Sequence, residues 1–149
     1  MWDSALLRPA IFGLADGAMS LLGVILYLHG ALPVVVLMSA LTGSISSAFS
    51  MAGGEFMSDD SRVLPSVVMG IATGIGGILP AIPYAFTGGE LAFALCMLIV
   101  LAIGGVVAFL RAQASSRHGR VYTAVVTFLI LGAIFGVVMG CTAVFPAPA

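Results

Sequence analysis

Two carboxylates and a thioether stand where an apolar chain has little reason to keep them. Asp16 lies in FGLADGAMSLLGV, and Met51 and Glu55 lie in SSAFSMAGGEFMSDDSR. An ionised carboxylate at the centre of a bilayer costs about 2.5–3.5 kcal/mol on insertion scales, so an acid inside an apolar run is read first as functional. Hard cations such as Mg2+ and Ca2+ choose all-oxygen sites, whereas a thioether favours a softer ion. Carboxylate oxygen with thioether sulfur fits Fe2+, or else Mn2+, Co2+ or Zn2+, held weakly enough to leave again. One chain offers about three such ligands, too few for an octahedral first-row ion. A homodimer would bring two Asp16, two Met51 and two Glu55 to one axis, and two-fold symmetry is the commonest kind. With the ion absent, like charges that close resist joint ionisation, so protons could take the metal's place.

The spacing puts these residues on shared faces. Ser44, Ser47, Met51, Glu55 and Ser58 follow 3-4-4-3 spacing on one apolar run, and Gly13, Asp16, Ser20 and Gly23 follow 3-4-3 on another. Asp16 stands about seven residues beyond Pro9 and Met51 about seven before its own helix end, which sets both about 10 Å below one membrane surface. Ser20, Ser44 and Ser47 are then expected to line a path. Asp59 and Asp60 read as a solvated turn or as an acidic entrance on the cytoplasmic side. Each residue has a plainer reading: Asp16–Gly17 as the cap of a helix break, Met51 as packing, Glu55 as an interfacial side chain reaching water.

The elements that position them follow from composition. The chain has 149 residues, 61% hydrophobic and 7% charged, with a mean hydropathy of +1.23. Soluble domains carry about 25% charged residues, so lipid must be the solvent for most of this surface. Apolar runs at 10–29, 32–57, 63–86, 89–111 and 121–145 predict an all-α membrane protein, a single domain over 1–149 with five transmembrane helices. Arg8, Arg62, Arg111, Arg117 and Arg120 all fall at one side of that arrangement, which predicts a cytoplasmic N-terminus and a C-terminus outside. Gly13/Gly17, Gly70/Gly74 and Gly132/Gly136/Gly140 form small-xxx-small patterns that let helix backbones approach. Pro80 and Pro83 each remove a backbone donor, which predicts a kink or unwinding at the outer end of the third helix.

Other classes find little support. A net charge of −1 gives no footprint for nucleic acid. Cys96 and Cys141 lie singly in apolar runs, and His29 and His118 are isolated and read as solvated loop residues. No nucleophile–base pair and no phosphate-cradling loop is visible, so neither an enzyme nor a resident cofactor is expected. No signal-peptide pattern precedes the first run, and the compact size points to a prokaryotic plasma membrane.

FGLADGAMSLLGV, SMAGGEFMSDDSR and GIGGILPAIPYAF resemble the signature stretches of the vacuolar iron transporter family, which includes nodulin-like plant transporters. The S-M-x-x-G-E-[YF]-x-S pattern on the second helix is the specific part, and the likeness runs through all five helices in order. The resemblance implies a five-helix homodimer that moves Fe2+, and often Mn2+, out of the cytosol in exchange for protons. It puts the pore aspartate on Asp16, the pore methionine on Met51 and the helix-2 glutamate on Glu55. Vacuolar members insert a metal-binding segment between the second and third helices; here that connection is SDDSR, so the cytosolic capture site is missing. Two rival readings are a small exporter of organic cations and a non-transporting scaffold subunit. The first would enlist aromatic residues around Asp16, which do not gather there. The second would leave the matched polar faces without a purpose.

Overall fold

The structure, a computed structural model, describes residues 4–59, 61–114 and 120–144. Trp2, Asp60, Arg117 and His118 lie outside the described residues. Five α-helices follow one another: α1 Ser4–Tyr27, α2 Pro33–Ser58, α3 Val63–Ala81, α4 Gly89–Ala114 and α5 Arg120–Val144, with a 3-10 turn at Ile82–Ala85 extending α3. No strand occurs among the described residues. Four of the helices are long and apolar enough to cross a membrane, namely the first three and α4; the stretch Phe128–Cys141 of α5 is a shorter apolar helix. The expectation of five spans is thus met for four.

The first helix begins at Ser4 rather than at residue 10, and Pro9 lies inside it. Pro9 is the sixth residue of that helix, beyond the four leading N–H groups that have no intrahelical partner anyway, so it removes one donor from the helical ladder. Arg8 consequently sits on α1 instead of preceding it. The second helix starts with Pro33 in the first turn, where its missing N–H is harmless, and Val35 and Val36 N–H both donate to Leu32 O at 2.8 and 3.2 Å. The third changes from α to 3-10 where Pro83 has no N–H to continue the ladder, and Phe86 and Thr87 N–H close the turn on Pro83 O.

Water cannot drive these helices together inside a bilayer, so close packing must hold them. A β-carbon added at Gly13 would collide with Met69 O, one at Gly17 with Thr73 O, and one at Gly76 with Leu14 O. Helices α1 and α3 therefore run parallel in backbone contact. Gly70 meets α2 in the same way, with Ala48 O and Ala52 Cβ both 2.8 Å from the β-carbon it lacks. Gly132, Gly136 and Gly140 have nothing within 4 Å of that position. Two of the three glycine patterns are thus contacts within the chain. Leu21, Leu22, Ile25 and Leu26 of α1 then pack with Val36, Ala40, Ala81, Tyr84 and the Ala92–Cys96–Val100 face of α4, which makes α1 the central helix.

Candidate functional site

Polar side chains inside these helices mostly satisfy themselves. Thr73 Oγ1 donates to Met69 O at 2.9 Å, Ser66 Oγ to Arg62 O at 2.8 Å and Ser44 Oγ to Ala40 O at 2.6 Å, each one helical turn back. Such bonds remove the hydroxyl's need for another partner in lipid. Asp16 is the exception, since a carboxylate can only accept and the helix backbone has no donor left for it.

The partner that reaches Asp16 is Ser47 of α2, whose Oγ donates to Oδ2 at 3.5 Å. That is long for an O–H···O bond, so the carboxylate is touched but not saturated. Both residues are half-buried. The register follows from α1 and α2 being antiparallel: Gly43 stands by Leu21, with its missing β-carbon 3.1 Å from Leu21 Cδ1, while Ser47 stands by Asp16. Met51 is one turn further along α2, about 6 Å nearer the α2–α3 turn. The depth match expected between Asp16 and Met51 is accordingly offset by a turn, because α1 starts earlier and Asp16 lies deeper in it than a start at residue 10 implies.

The remaining candidates separate. Met51 and Glu55 are half-buried on α2, one helical turn apart. Ser44 is fully buried against Gly77 of α3 and turns its hydroxyl to Ala40 O, away from Asp16. Ser20 is exposed on α1. Among the described residues, no three His, Cys, Asp or Glu side chains gather in one place. One chain therefore brings together Asp16 and Ser47, with Met51 and Glu55 on the following turns.

At the α2–α3 turn, Glu55 Oε1 receives Arg62 Nη1 at 2.8 Å, the glutamate side chain being 16% exposed and the arginine 42%. Asp59 is fully exposed and organises the turn: Ser61 Oγ and Ser61 N–H donate to its Oδ1 at 2.6 and 3.1 Å. Those two bonds, foremost the hydroxyl, and then the nearby Arg62, hold the Asp59 carboxyl below its ordinary range. Asp59 is thus a turn former in this structure.

The comparisons bear on this same stretch. The sequence model of the VIT family matches residues 7–63, which span most of α1, all of α2 and the turn after it. Over that segment the chain is similar to the VIT family. No curated protein and no solved structure matches the chain. The VIT segment contains Asp16, Ser47, Met51, Glu55 and Arg62, whereas α3 after its first residue, α4 and α5 lie beyond it.

Two polar partners escaped sequence reasoning. Arg62 counted there only towards orientation, although a cation shortly after a helix that ends in GGEFMS is placed to fold back on its glutamate. His29, read as a solvated loop residue, brings Nε2 within 3.3 Å of Glu90 Oε1 and tilts its ring against Phe93 at 4.1 Å. Its signal was weak: a histidine after α1 and a glutamate opening α4 end up at the same end of the bundle only once the helices alternate in direction.

Proposed function

We propose that the chain carries a divalent transition metal, Fe2+ or Mn2+, across a membrane in exchange for protons, as a homodimer with the path on its two-fold axis. The likeness to the VIT family over residues 7–63 supports membrane metal-ion transport in general; the metal, the coupling and the axial path are the specific part of this proposal. The observation that carries it is Asp16: an acid in the interior of a membrane-length helix, half-buried, held by one long bond from Ser47, and lying in the VIT segment. An under-coordinated carboxylate at that depth needs a cation or a proton, and exchanging one for the other is the chemistry of an antiporter.

The second helix supports the dimer. Only 17% of its most apolar stretch is buried, against 44% for α1, yet it carries Ser47, Met51 and Glu55. A second copy of that face would double the ligands and cover it. Asp16 carboxylate and Met51 thioether then form the ion's main contacts, Glu55 receives it nearer the α2–α3 turn, and Ser47 orients Asp16. The protein acts as a carrier rather than a catalyst and needs no resident cofactor. Its compact build suits the plasma membrane of a prokaryote, with the α2–α3 turn in the cytosol and export as the direction.

Reconstitution into vesicles loaded with a metal-quenched dye tests this. Asp16→Ala and Met51→Ala should each lower Fe2+ or Mn2+ flux at least about tenfold while the variants still insert and elute as the parent does, since each removes a direct ligand. Parent-like flux in both variants would overturn the reading.

A further inference from the structure

We infer that Arg62 is a tethered counter-cation of the Glu55 position, a side chain that holds the carboxylate while cargo is absent and must leave before a divalent ion binds there. The inference rests on the transport reading above and adds what sets the loading affinity. Three observations carry it. The guanidinium sits 2.8 Å from Glu55, so the carboxylate is already neutralised, and a divalent ion arriving beside the intact pair meets a positive charge. The two partners differ in freedom: Glu55 is mostly enclosed on α2, whereas Arg62 is 42% exposed and has water to withdraw into.

The third observation is the pinned backbone. Arg62 N–H donates to Asp59 O at 3.0 Å, and Arg62 O accepts both Ser66 N–H at 3.1 Å and Ser66 Oγ at 2.8 Å. Asp59 itself is fastened to Ser61. Rotation about the arginine side chain can therefore release Glu55 without the turn moving. The arginine stays within reach and returns when the ion passes on, so it competes at a fixed local concentration and no soluble cation is needed. A short connection thereby supplies control at the mouth of the path from one of its own residues.

The test is Mn2+ binding by the full-length purified chain in detergent, read from the paramagnetic resonance signal of the free ion. Arg62→Gln should tighten binding about threefold to fivefold, the upper range for partly exposed ion pairs. Arg62→Lys, which keeps the charge, should stay near the parent. In a Glu55→Gln background the Arg62→Gln change should have no effect, because the carboxylate it frees is gone. Arg62→Met replaces the glutamine variant should that one aggregate. Unchanged or weaker binding in Arg62→Gln overturns the inference, as does an equal gain in the Glu55→Gln background. If the parent binds Mn2+ and Asp16→Ala abolishes binding while Arg62 variants do nothing, the inference falls and the transport reading stands. A parent that binds no Mn2+ overturns both.

Discussion

The two seams of α1 are built on opposite principles. Against α3, glycines bring backbone onto backbone, and Gly13, Gly17 and Gly76 each lack a β-carbon that the neighbouring carbonyl would strike. Against α2, one side of the same helix offers a carboxylate, and the answering group is a serine hydroxyl at 3.5 Å. The first seam is close-packed and resists any change of spacing, since dispersion falls off steeply with any gap. The second is polar, wider and incompletely bonded. Putting both on one helix means that the seam with α3 fixes where Asp16 stands, while the seam with α2 leaves its oxygens available. A rigid support behind a responsive face is what repeated binding and release of an ion require.

The contrast can be broken most severely at its rigid side. Gly17→Val would push a branched side chain into Thr73 O, with Gly77 N only 2.8 Å from its β-carbon. Overpacking commonly costs about 1–3 kcal/mol and exceeds that when backbone must yield, so this variant should lose most of its folded, monodisperse fraction on size exclusion and melt well below the parent. Gly136→Val is the matched control, since nothing lies within 4 Å there, and it should melt like the parent. Equal melting of the two variants would remove the support role of the α1–α3 seam.

The polar seam calls for a finer cut. Ser47→Ala removes the hydroxyl that reaches Asp16, and a hydrogen bond this long is worth the low end of about 0.5–1.5 kcal/mol. Apparent Mn2+ affinity should fall about twofold to threefold, and the same change in an Asp16→Ala background should do nothing more. Ser44→Ala sharpens the point. Sequence spacing groups it with Ser47 as path lining, but its hydroxyl is turned to Ala40 O, so its loss should leave affinity unchanged. A Ser44 effect equal to that of Ser47 would place the path on the α3 side of α2.

Why spacing misleads at Ser44 shows how far the sequence can be read. Apolar runs reveal the helices, because lipid permits hardly any other backbone arrangement, and the acid in α1 announces itself by its cost. Ends are harder: Pro9 looks like a start, but α1 already begins at Ser4 and carries the proline in its second turn, one ladder donor short. Register between helices is harder still. Nothing local says that Gly17 nests on Thr73, which in turn sets Asp16 opposite Ser47 and leaves Met51 a turn away. The partner of α1 with the tightest packing is α3, two elements on, and chain order gives no hint of that. Residues at i, i+3 and i+7 share a broad face, but a face wide enough to touch two neighbours can send Ser44 to one and Ser47 to the other.

The smallest effect is expected at Asp59, in the α2–α3 turn, and it marks where the polar seam ends. Asp59 accepts two hydrogen bonds from Ser61 and is fully exposed, with its carboxyl held below the ordinary 3.8. A carboxyl lowered in the folded turn stabilises that turn at any pH above the unfolded value, and the contribution fades only as pH falls through the lowered one. Between about pH 5 and 7 the turn should therefore be indifferent to protons, and any proton dependence of flux in that window must arise elsewhere. Asp59→Asn keeps an acceptor oxygen and should preserve slow amide exchange at Ser61 even in acid, whereas Asp59→Ala should speed that exchange severalfold at every pH. In both variants metal flux should stay within about twofold of the parent, because the side chain serves the turn and not the ion. A tenfold loss of flux in Asp59→Ala with Ser61 exchange unchanged would instead make Asp59 a stop on the path, and the responsive face of α2 would then run past Glu55 to the end of the helix.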